Sequence, residues 1–474
     1  MTDQPERAVQ AAVERARAAQ RAWAALPPRE RARRMRGVRR VLVRRMDELV
    51  ETIRAETGKP AVEALAHEVA IVAGLIRSYE RRAARVLRAR RVRMGPLMLT
   101  RRGTKLYEPF GVIGVISPWN YPFSLPAIPV VSALFAGNAV VLKPSEVTPR
   151  CGDWVADLVR EGIPDHPDLV QVVHGMGDVG AALVRSGVDK LVFIGSTETG
   201  RKVLQGAAER LTPVVMELGA NDVAIVCEDA DLERAAAGVV WGAMANAGQV
   251  CMSVERALVP DAIYDRFAAA VAAEMGRLRV GSGDDADVGR LIFPRQREVI
   301  QRTVDDAAAH GARIAAGGRS REEGGAVFYE PTLILEATGE MELNRCETFG
   351  PVLPLVRVRD EEEAVRLANE GPFGLNASVW TRNRARGLRI ARRIPAGMVM
   401  VNDALANFGI PELPYGGVRQ SGFGRMMGDE GLLEFSQIKS VAETRLPLRR
   451  ELTWFPYRPK TYALFRRVVR TLLG

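Results

Sequence analysis

The sequence predicts an α/β protein built on a parallel sheet, because short apolar strands alternate with helical segments along most of the chain. The predicted strands cover residues 111–117, 138–144, 169–174 and 190–194, and helices at 151–161 and 179–186 lie between them. Alternation at this length is typical of βαβ units. A second α/β block begins near residue 220, with strands at 223–227 and 255–259 around a helix at 231–247.

Helical segments dominate residues 5–93, where Ala, Arg, Leu, Val and Glu are abundant and prolines and glycines mark two breaks. The Arg-rich stretch 29–49 has apolar residues at helical spacing, and a DNA-binding helix is one interpretation of it. Acidic residues follow closely at Asp47, Glu48 and Glu51. A solvated amphipathic helix is therefore favoured.

The charge of the chain is concentrated in its C-terminal tail. The net charge of +10 and the isoelectric point near 9.7 suggest nucleic-acid binding at first sight. However, Arg numbers sixty and Lys only seven, which is more typical of codon bias than of a phosphate-binding surface. Residues 445–474 contain eight basic residues and one acidic residue, so this tail carries +7 and the other 444 residues only +3. No nucleic-acid partner is predicted.

Cysteine usage and hydropathy indicate the compartment. The four Cys are scattered, with neither disulfide nor metal spacing, which suits a reducing environment and predicts no metal site. The N-terminus lacks the apolar core of a signal peptide, and the longest apolar run, 127–142, is interrupted by Pro129 and Gly137. We therefore expect a cytoplasmic protein, long enough for two or three domains.

A lone thiol and a lone carboxylate, Cys251 and Glu217, stand 34 residues apart in Gly-rich settings. A thiolate can attack a carbonyl carbon, and a carboxylate can activate the water that releases the acyl group. The chain has only four His, none beside either residue in sequence, which argues against a papain-like or serine-protease-like relay. Without further context, a single Cys is more often a small buried residue, and a single Glu is more often a solvated one, than a catalytic group.

Two turns at the ends of predicted strands are candidate binding elements for a dinucleotide. Gly195 and Ser196 open a helix and offer backbone N–H groups to a pyrophosphate, although no GxGxxG fingerprint is present and a plain tight turn is an equal alternative. Lys143 and Glu146 follow another strand, where a carboxylate can accept hydrogen bonds from ribose hydroxyls and repel a 2′-phosphate, favouring NAD over NADP. Helix capping by Ser145 is the alternative there, and both roles can coexist.

Asn120 is a candidate donor to an oxyanion. It lies between Trp119 and Tyr121, and a proline flanks this triplet on each side. An amide in such a rigid loop can meet the negative charge that develops when a thiolate adds to a carbonyl. An Asx turn is the more frequent use of Asn in a loop.

Eight short motifs occur in one order between residues 109 and 425, and together they resemble the NAD(P)-dependent aldehyde dehydrogenase superfamily. They are FGV at 110–112, PWNYP at 118–122, LKPSE at 142–146, FIGSTETG at 193–200, MELGA at 216–220, NAGQVC at 246–251, ETFGP at 347–351 and PYGGVRQSGFGR at 414–425. The resemblance extends to about residue 442. It implies a Rossmann-type NAD-binding domain at 1–90 and 110–219, a catalytic α/β domain at 220–425, and a small β oligomerisation arm at 91–109 and 430–445.

The resemblance also implies a role for each motif. Cys251 is expected to be the nucleophile and Glu217 the general base, while Asn120 and the backbone N–H of Cys251 are expected to form the oxyanion hole. Cofactor contacts are implied for Trp119, Lys143, Ser145, Glu146, Gly195, Ser196, Gly200, Leu218, Glu347 and Phe349. In this scheme the thiolate adds to the aldehyde, a hydride passes to NAD or NADP, and water activated by Glu217 splits the thioester. Homodimers or homotetramers are implied as well.

The expected function is oxidation of an aldehyde to its carboxylic acid. Residues 121–142 contain no charged side chain, and if this segment lines the substrate tunnel, as the resemblance implies, apolar aldehydes are favoured over succinate semialdehyde. A CoA-acylating dehydrogenase is one alternative, against which Glu217 argues because transfer to CoA needs no activated water. A non-catalytic binding or structural protein is the other, and the joint presence of all candidate catalytic residues argues against it.

Residues 446–474 are predicted to be a basic amphipathic tail, with a helix from Pro459 and aromatic residues before it. The apolar face of the helix contains Leu464, Phe465, Val468, Val469, Leu472 and Leu473, and Arg466, Arg467 and Arg470 lie opposite. Peripheral contact with an anionic membrane surface is one interpretation of this pattern. Packing on a neighbouring subunit or over the tunnel mouth is the other, and it is slightly favoured.

Overall fold

The computed structural model describes residues 3–95, 98–451 and 453–473, which contain two large parallel-stranded sheets covered by helices. The six strands of the first sheet are, in spatial order, Gly422–Phe423, Val214–Glu217, Lys190–Ile194, Val112–Ile116, Ala139–Lys143 and Val170–Val172. All neighbouring strands are parallel except the short edge strand Gly422–Phe423, which is antiparallel to its neighbour. The predicted α/β class with a parallel sheet is confirmed.

The second sheet has seven strands, which lie in sequence between the strands Val214–Glu217 and Gly422–Phe423 of the first sheet. In spatial order they are Arg313–Ala316, Thr332–Leu335, Val352–Val358, Val254–Pro260, Asp222–Val226, Ala377–Trp380 and Met400–Val401. Only the edge strand Arg313–Ala316 is antiparallel to its neighbour. A separate hairpin pairs Ser320–Glu323 with Ala326–Tyr329.

Helices flank the sheets and supply most connections between parallel strands. The α-helices are Asp3–Ala24, Pro28–Arg44, Met46–Thr57, Ala61–Ala64, Ala70–Val86, Ser124–Ala136, Pro149–Gly162, Gly177–Arg185, Thr197–Ala208, Leu232–Met244, Tyr264–Met275, Gln296–Ala309, Glu361–Asn369, Arg384–Ala391, Gly428–Leu433 and Pro459–Leu472. A π-helical turn, Leu65–Val69, joins Ala61–Ala64 to Ala70–Val86, and single 3₁₀ turns occur at Asp261–Ile263, Glu342–Asn344, Ala406–Gly409 and Arg419–Ser421. A tight turn, Ala245–Gly248, follows the helix Leu232–Met244.

The Arg-rich helix Pro28–Arg44 packs its apolar residues into the core. Met35, Val38 and Leu42 are all buried, and charged residues lie between them on the outer side. This burial is what a solvated amphipathic helix requires. The helical region ends at Val86, earlier than predicted, because the chain then extends into the arm.

The helix Ser124–Ala136 occupies the centre of the molecule, and every one of its residues is buried. A helix that is apolar on all sides has no face for water, so it must be enclosed by protein. The strand Ala139–Lys143 that follows is buried throughout as well. Continuous burial of this kind is typical of parallel strands covered on both faces. The preceding loop, which contains Trp119 and Asn120, is thereby anchored to rigid elements.

The arm and the tail project from this core. The arm is a three-stranded antiparallel sheet of Arg90–Val92, Arg101–Pro109 and Ser436–Thr444, whose last strand is mostly exposed. The helix Pro459–Leu472, here named the tail helix, buries none of its residues. Across the described residues, no helix combines the length and apolar character needed to cross a membrane.

Candidate active site

A strained turn presents Cys251 at the start of the strand Val254–Pro260. Asn246, Ala247 and Gly248 have φ values of 52°, 55° and 71°, which place three consecutive residues in the left-handed region. Asn tolerates this conformation and Gly adopts it freely, but Ala does not, so the surrounding structure must hold the turn. A Cβ on Gly248 would lie 2.0 Å from the carbonyl oxygen of Gly350. The turn is therefore pressed against the loop that contains Glu347 and Phe349.

The carboxylate of Glu217 lies at the carboxyl end of the strand Val214–Glu217 and is joined to Cys251 through a third side chain. The hydroxyl of Tyr415 donates a hydrogen bond to Oε1 of Glu217 at 2.7 Å. The same hydroxyl lies 3.0 Å from Sγ of Cys251. The structure thus brings together the two residues that the sequence predicted as a pair, and adds Tyr415 between them.

Burial shifts the acid–base properties of this group. Removal from water raises the pKa of Glu217 to about 7, and the neighbouring Cys251 and Tyr415 offset part of that rise. Burial also raises the pKa of the Cys251 thiol well above its usual value, and the negative charge of Glu217 adds to this rise. The carboxyl can therefore change its protonation state near neutral pH, whereas the thiol needs a base to lose its proton.

Asn120 lies beside Cys251 on a loop fixed by a buried ion pair. One N–H of its side-chain amide donates to the carbonyl of Gln249 at 3.0 Å. Nζ of Lys59 donates to the backbone carbonyl of Asn120 at 2.9 Å and pairs with Glu68 at 2.7 Å. Because a primary amide has two N–H donors, one remains for a substrate oxygen. Sequence reasoning missed Lys59 and Glu68, since ordinary Lys and Glu carry no motif.

Cys251 is shared by two cavities that approach it from different directions. The first encloses about 270 Å³ and is lined by Ala66, His67, Ile71, Tyr121, Leu125, Trp241, Val250, Cys251, Met252, Leu405, Ala406, Phe408, Gly409 and Tyr415. The second encloses about 380 Å³ and is lined by Pro118, Trp119, Asn120, Leu125, Ile194, Gly195, Ser196, Glu217, Leu218, Gly219, Cys251, Phe293, Gln296, Val299, Glu347 and Phe349. The first is mainly apolar; the second mixes aromatic, glycine and carboxylate groups.

Seven of the ten residues predicted to bind the cofactor either line the second cavity or pack against a residue that does. Trp119, Gly195, Ser196, Leu218, Glu347 and Phe349 line it, and Gly200 packs beneath Leu218, where a Cβ would lie 2.5 Å from that side chain. The ring of Trp119 contacts that of Phe349 edge to face, with centroids 5.6 Å apart. Ser196 caps the helix Thr197–Ala208 by accepting from the N–H of Thr199.

Lys143, Ser145 and Glu146 lie outside this described lining, at the end of the strand Ala139–Lys143. That strand is two positions from Lys190–Ile194, so both strand ends meet the same edge of the sheet. Lys143 pairs with Glu146 at 3.0 Å, and the side chain of Glu146 is 43% exposed. Ser145 does not cap the next helix, which begins at Pro149; its hydroxyl accepts from the N–H of Val147 instead.

Glu347 and Glu255 form a second acidic centre, of which the sequence predicted only Glu347. Oε1 of Glu347 accepts from the N–H of Ala220 at 3.3 Å, and burial together with the charge of Glu255 raises the pKa of Glu347 well above its usual value. Glu255 accepts from the N–H groups of Thr348 and Phe349, and burial raises its pKa to about 7. Glu255 thus holds the loop in which Glu347 lies. It sits inside a strand, where no local pattern marks it.

Comparisons with known proteins identify the family of this chain. The sequence model described as "Aldehyde dehydrogenase family" matches residues 1–441. The 4,4'-diapolycopene aldehyde oxidase of Methylomonas sp is 41% identical over 98% of this chain and 87% of its own length. A putative succinate-semialdehyde dehydrogenase (NADP(+)) of Mycolicibacterium smegmatis is 40% identical over 92% of this chain and 85% of its own.

Solved structures lead to the same result. The NAD-dependent aldehyde dehydrogenase from Sinorhizobium meliloti superposes with a TM-score of 0.90 at 35% identity, covering 95% of this chain and 89% of that one. An aldehyde dehydrogenase of Mycobacterium tuberculosis complexed with NAD+ gives 0.87 at 33% identity, over 94% and 91%. Sequence and fold together show that this chain belongs to the aldehyde dehydrogenase family and is an enzyme that oxidises aldehydes.

Proposed function

We propose that this protein oxidises an apolar aliphatic or aromatic aldehyde to the carboxylic acid with NAD, through a covalent thioester on Cys251. The observation that carries the proposal is the position of Cys251, whose side chain borders both the apolar cavity and the cavity with the predicted cofactor residues. An aldehyde that enters from the first would present its carbonyl to the sulfur. The hydrogen on the carbonyl carbon would then face the second cavity, which is lined by the predicted cofactor residues.

Three residues carry the proposed chemistry on the protein side. The thiolate of Cys251 attacks the carbonyl carbon, and the free amide N–H of Asn120 and the backbone N–H of Cys251 hold the oxygen as it becomes negative. A bound nicotinamide dinucleotide supplies the hydride acceptor. Glu217, with a pKa of about 7, accepts a proton from the water that splits the thioester.

The second cavity fits a dinucleotide. Its lining includes the aromatic side chains of Trp119 and Phe349 and also Ser196, which caps the start of the helix Thr197–Ala208. A helix N-terminus of this kind favours a pyrophosphate through its backbone N–H groups and dipole. Gly195 leaves room for the ring of Phe193 beneath this turn, because a Cβ there would lie 2.9 Å from that ring. Glu347 would hold the nicotinamide ribose.

The preference for NAD over NADP rests on Glu146. Its carboxylate is exposed at the sheet edge and remains charged, because its own backbone N–H and Lys143 lower its pKa. A carboxylate accepts hydrogen bonds from both ribose hydroxyls but repels a 2′-phosphate. The names of the relatives include both NAD and NADP(+), so they do not select one cofactor. The proposed preference of the present chain for NAD therefore depends on Glu146.

The lining of the apolar cavity supports the proposed substrate class. Apart from Cys251 and Tyr415 near the reacting centre, its titratable lining residues are His67 and Tyr121, and no Lys or Arg is among the described lining residues. Burial, assisted by the charge of Lys59, lowers the pKa of His67, so the imidazole is neutral at neutral pH. A substrate carboxylate would therefore lose its hydration without gaining a cation.

The test is a panel of aldehydes assayed by NADH absorbance with both NAD and NADP. Hexanal and benzaldehyde are expected to give at least about 100-fold higher kcat/KM than succinate semialdehyde, since an unpaired buried charge costs several kcal/mol. A preference for succinate semialdehyde would reject the proposed substrate class. Analysis of the product with and without CoA separates hydrolysis from the CoA-acylating alternative, for which a buried base such as Glu217 has no use.

The arm supports a homodimer or homotetramer. The strand Ser436–Thr444 pairs with Arg101–Pro109 along one edge, and Ile438 and Val441 on it are 64% and 42% exposed. An exposed strand with apolar side chains is a ready edge for a second chain. Light scattering during size-exclusion chromatography would measure the mass of the oligomer.

All four Cys are free thiols, which supports the proposed cytoplasmic location.

The tail helix supports peripheral contact with an anionic membrane surface. Leu464, Val469 and Leu472 are 45%, 46% and 50% exposed, and Phe465 and Val468 are half-buried, so much of the apolar face is open to solvent. The helix contains four basic residues and no acidic residue. A face of this kind gains both apolar burial and electrostatic attraction at a negatively charged bilayer. Apolar aldehydes partition into the same lipid.

A further inference from the structure

The hydroxyl of Tyr415 contacts both candidate catalytic side chains directly. It lies 3.0 Å from the sulfur of Cys251 and donates to Glu217 at 2.7 Å. A phenol has one proton and can accept through its oxygen. While the carboxylate is ionised, that proton is committed to it, so the thiol is the donor in the contact between sulfur and oxygen. The hydrogen bonds therefore run in one direction, from Cys251 through Tyr415 to Glu217.

The ring of Tyr415 is held rigidly in this position. Its side chain is almost completely buried and packs edge to face against Phe408, with centroids 5.0 Å apart. Its backbone exchanges two hydrogen bonds with Met426, at 2.6 and 2.8 Å. Glu217 is fixed as well, because its strand pairs with Gly422 on one side and Ile194 on the other. A chain of groups so fixed is ready to transfer protons without rearrangement.

We propose that Tyr415 relays the proton of the Cys251 thiol to the Glu217 carboxylate and so generates the attacking thiolate. In this step the S–H bond of Cys251 and the O–H bond of Tyr415 break. A new O–H bond forms on Tyr415 and another on Oε1 of Glu217. The products are a thiolate, a neutral phenol and a neutral carboxylic acid, so protons and charge balance. The inference rests on the proposed role of Cys251 as nucleophile.

The electrostatics of the site are consistent with a relay. Burial raises the pKa of Tyr415 well above its usual value, and the charges of Cys251 and Glu217 raise it further, so the phenol passes a proton on and does not remain ionised. The other titratable groups that face the thiol are Glu347, which raises the thiol pKa further, and Tyr121. His67 lines the same apolar cavity as the thiol. None of these three has a hydrogen bond to the sulfur among the described residues.

After the relay, Glu217 must lose its proton before it can activate water. Glu217 lines the second cavity, whereas Tyr415 lines the first. The carboxyl can therefore release its proton on the cofactor side while the acyl group occupies the substrate side. One carboxylate then serves both halves of the reaction, and Tyr415 takes part in only the first half.

The test measures the alkylation rate of Cys251 by iodoacetamide between pH 5.5 and 9.5, in full-length protein with Cys346→Ser to remove the exposed thiol. In the parent the rate is expected to rise as Glu217 loses its proton, near pH 7. Tyr415→Phe should lower the rate at pH 7.5 by about ten-fold or more. Glu217→Gln should cause the same loss, and the double variant should show no additional loss, because both changes interrupt one chain.

Tyr264→Phe is the matched control, because it removes another buried tyrosine hydroxyl, one that donates to Leu355 in the second sheet. Its alkylation rate should equal that of the parent. The relay is overturned if Tyr415→Phe stays within about two-fold of the parent, or if the losses of the single variants multiply in the double variant. Should Tyr415→Phe fail to fold, an unchanged rate in Glu217→Gln would overturn the relay. The reaction needs neither aldehyde nor dinucleotide, so it is independent of the proposed substrate class.

Discussion

Lys59 and Glu68 form an ion pair at 2.7 Å whose two side chains are 1% and 0% exposed. The pair clamps the loop before the central helix, because Lys59 donates to the carbonyl of Asn120 and Glu68 accepts from the N–H groups of Phe123 and Ser124. Lys59 also lies over the ring of Tyr121, with Nζ 4.1 Å from its centroid. The position of the candidate oxyanion donor thus depends on two residues that never need to contact the substrate.

Replacement of one member of this pair should be severe. Glu68→Gln leaves the ammonium of Lys59 buried without its counter-charge, which is expected to cost about 3–5 kcal/mol of the free energy of unfolding. Thermal and urea unfolding would measure the loss. Glu6→Gln is the control, because Glu6 pairs with Arg185 at the surface, where the side chains are 57% and 50% exposed, and should cost at most about 1 kcal/mol. Equal effects of the two variants would contradict the clamp.

The thiol of Cys251 should be indispensable. Cys251→Ala removes the only nucleophile proposed for covalent catalysis, so NADH formation from hexanal should fall below detection. Cys346→Ala should retain activity, since that exposed thiol is not among the described lining residues of either cavity. Undiminished oxidation by Cys251→Ala would refute the covalent mechanism.

The rate should depend on the protonation of Glu217. Its pKa of about 7 lies above its usual value, and only the deprotonated carboxylate can accept a proton. Therefore kcat should be low in acid and rise through about pH 7. Glu217→Gln should lower kcat by about 10²–10⁴-fold and abolish this limb of the pH profile.

Two other buried carboxyls provide the control for this assignment. Burial also raises the pKa of Glu63 and of Glu255 to about 7. If the acidic limb persisted in Glu217→Gln, it would belong to one of these residues. Glu63→Gln should leave the limb in place.

Cofactor choice should respond to a single charge. Glu146→Gln keeps the size of the side chain but removes the negative charge that opposes a 2′-phosphate. The kcat/KM with NADP, divided by that with NAD, is therefore expected to rise about ten-fold, which corresponds to roughly 1.4 kcal/mol. Asp157→Asn, which removes an exposed carboxylate paired with Arg160 on the following helix, should leave the ratio unchanged. A ratio unaffected by Glu146→Gln would exclude this residue as the selector.

The tail should determine lipid binding. Full-length protein is expected to sediment with vesicles that contain anionic lipid, and a chain of residues 1–444 is not, because the exposed apolar face and the basic residues of the tail helix are then absent. The full-length variant Arg466→Gln/Arg467→Gln/Arg470→Gln keeps the apolar face and should bind more weakly, by about 1 kcal/mol for each charge. Equal sedimentation of the full-length and shortened chains would reject the membrane proposal and favour contact with a second subunit.

The sequence determined the fold class and identified the candidate site residues, because both depend on local patterns. Continuous apolar strands such as Val112–Ile116 indicate burial on both faces, and motif residues such as Cys251, Glu217 and Asn120 carry their chemistry in short ordered stretches. The basic amphipathic helix at the C-terminus was also evident from spacing alone.

Only the tertiary structure showed how these groups are connected. Tyr415 lies 164 residues from Cys251 and 198 from Glu217 in the chain, and its hydroxyl reaches both only because the strand Gly422–Phe423 pairs with Val214–Glu217. Glu68 and Glu255 look like ordinary acidic residues until burial removes their water and leaves them to hold the loops of the site. Contacts between distant segments, and the desolvation that follows from them, are properties of packing, and no local pattern records them.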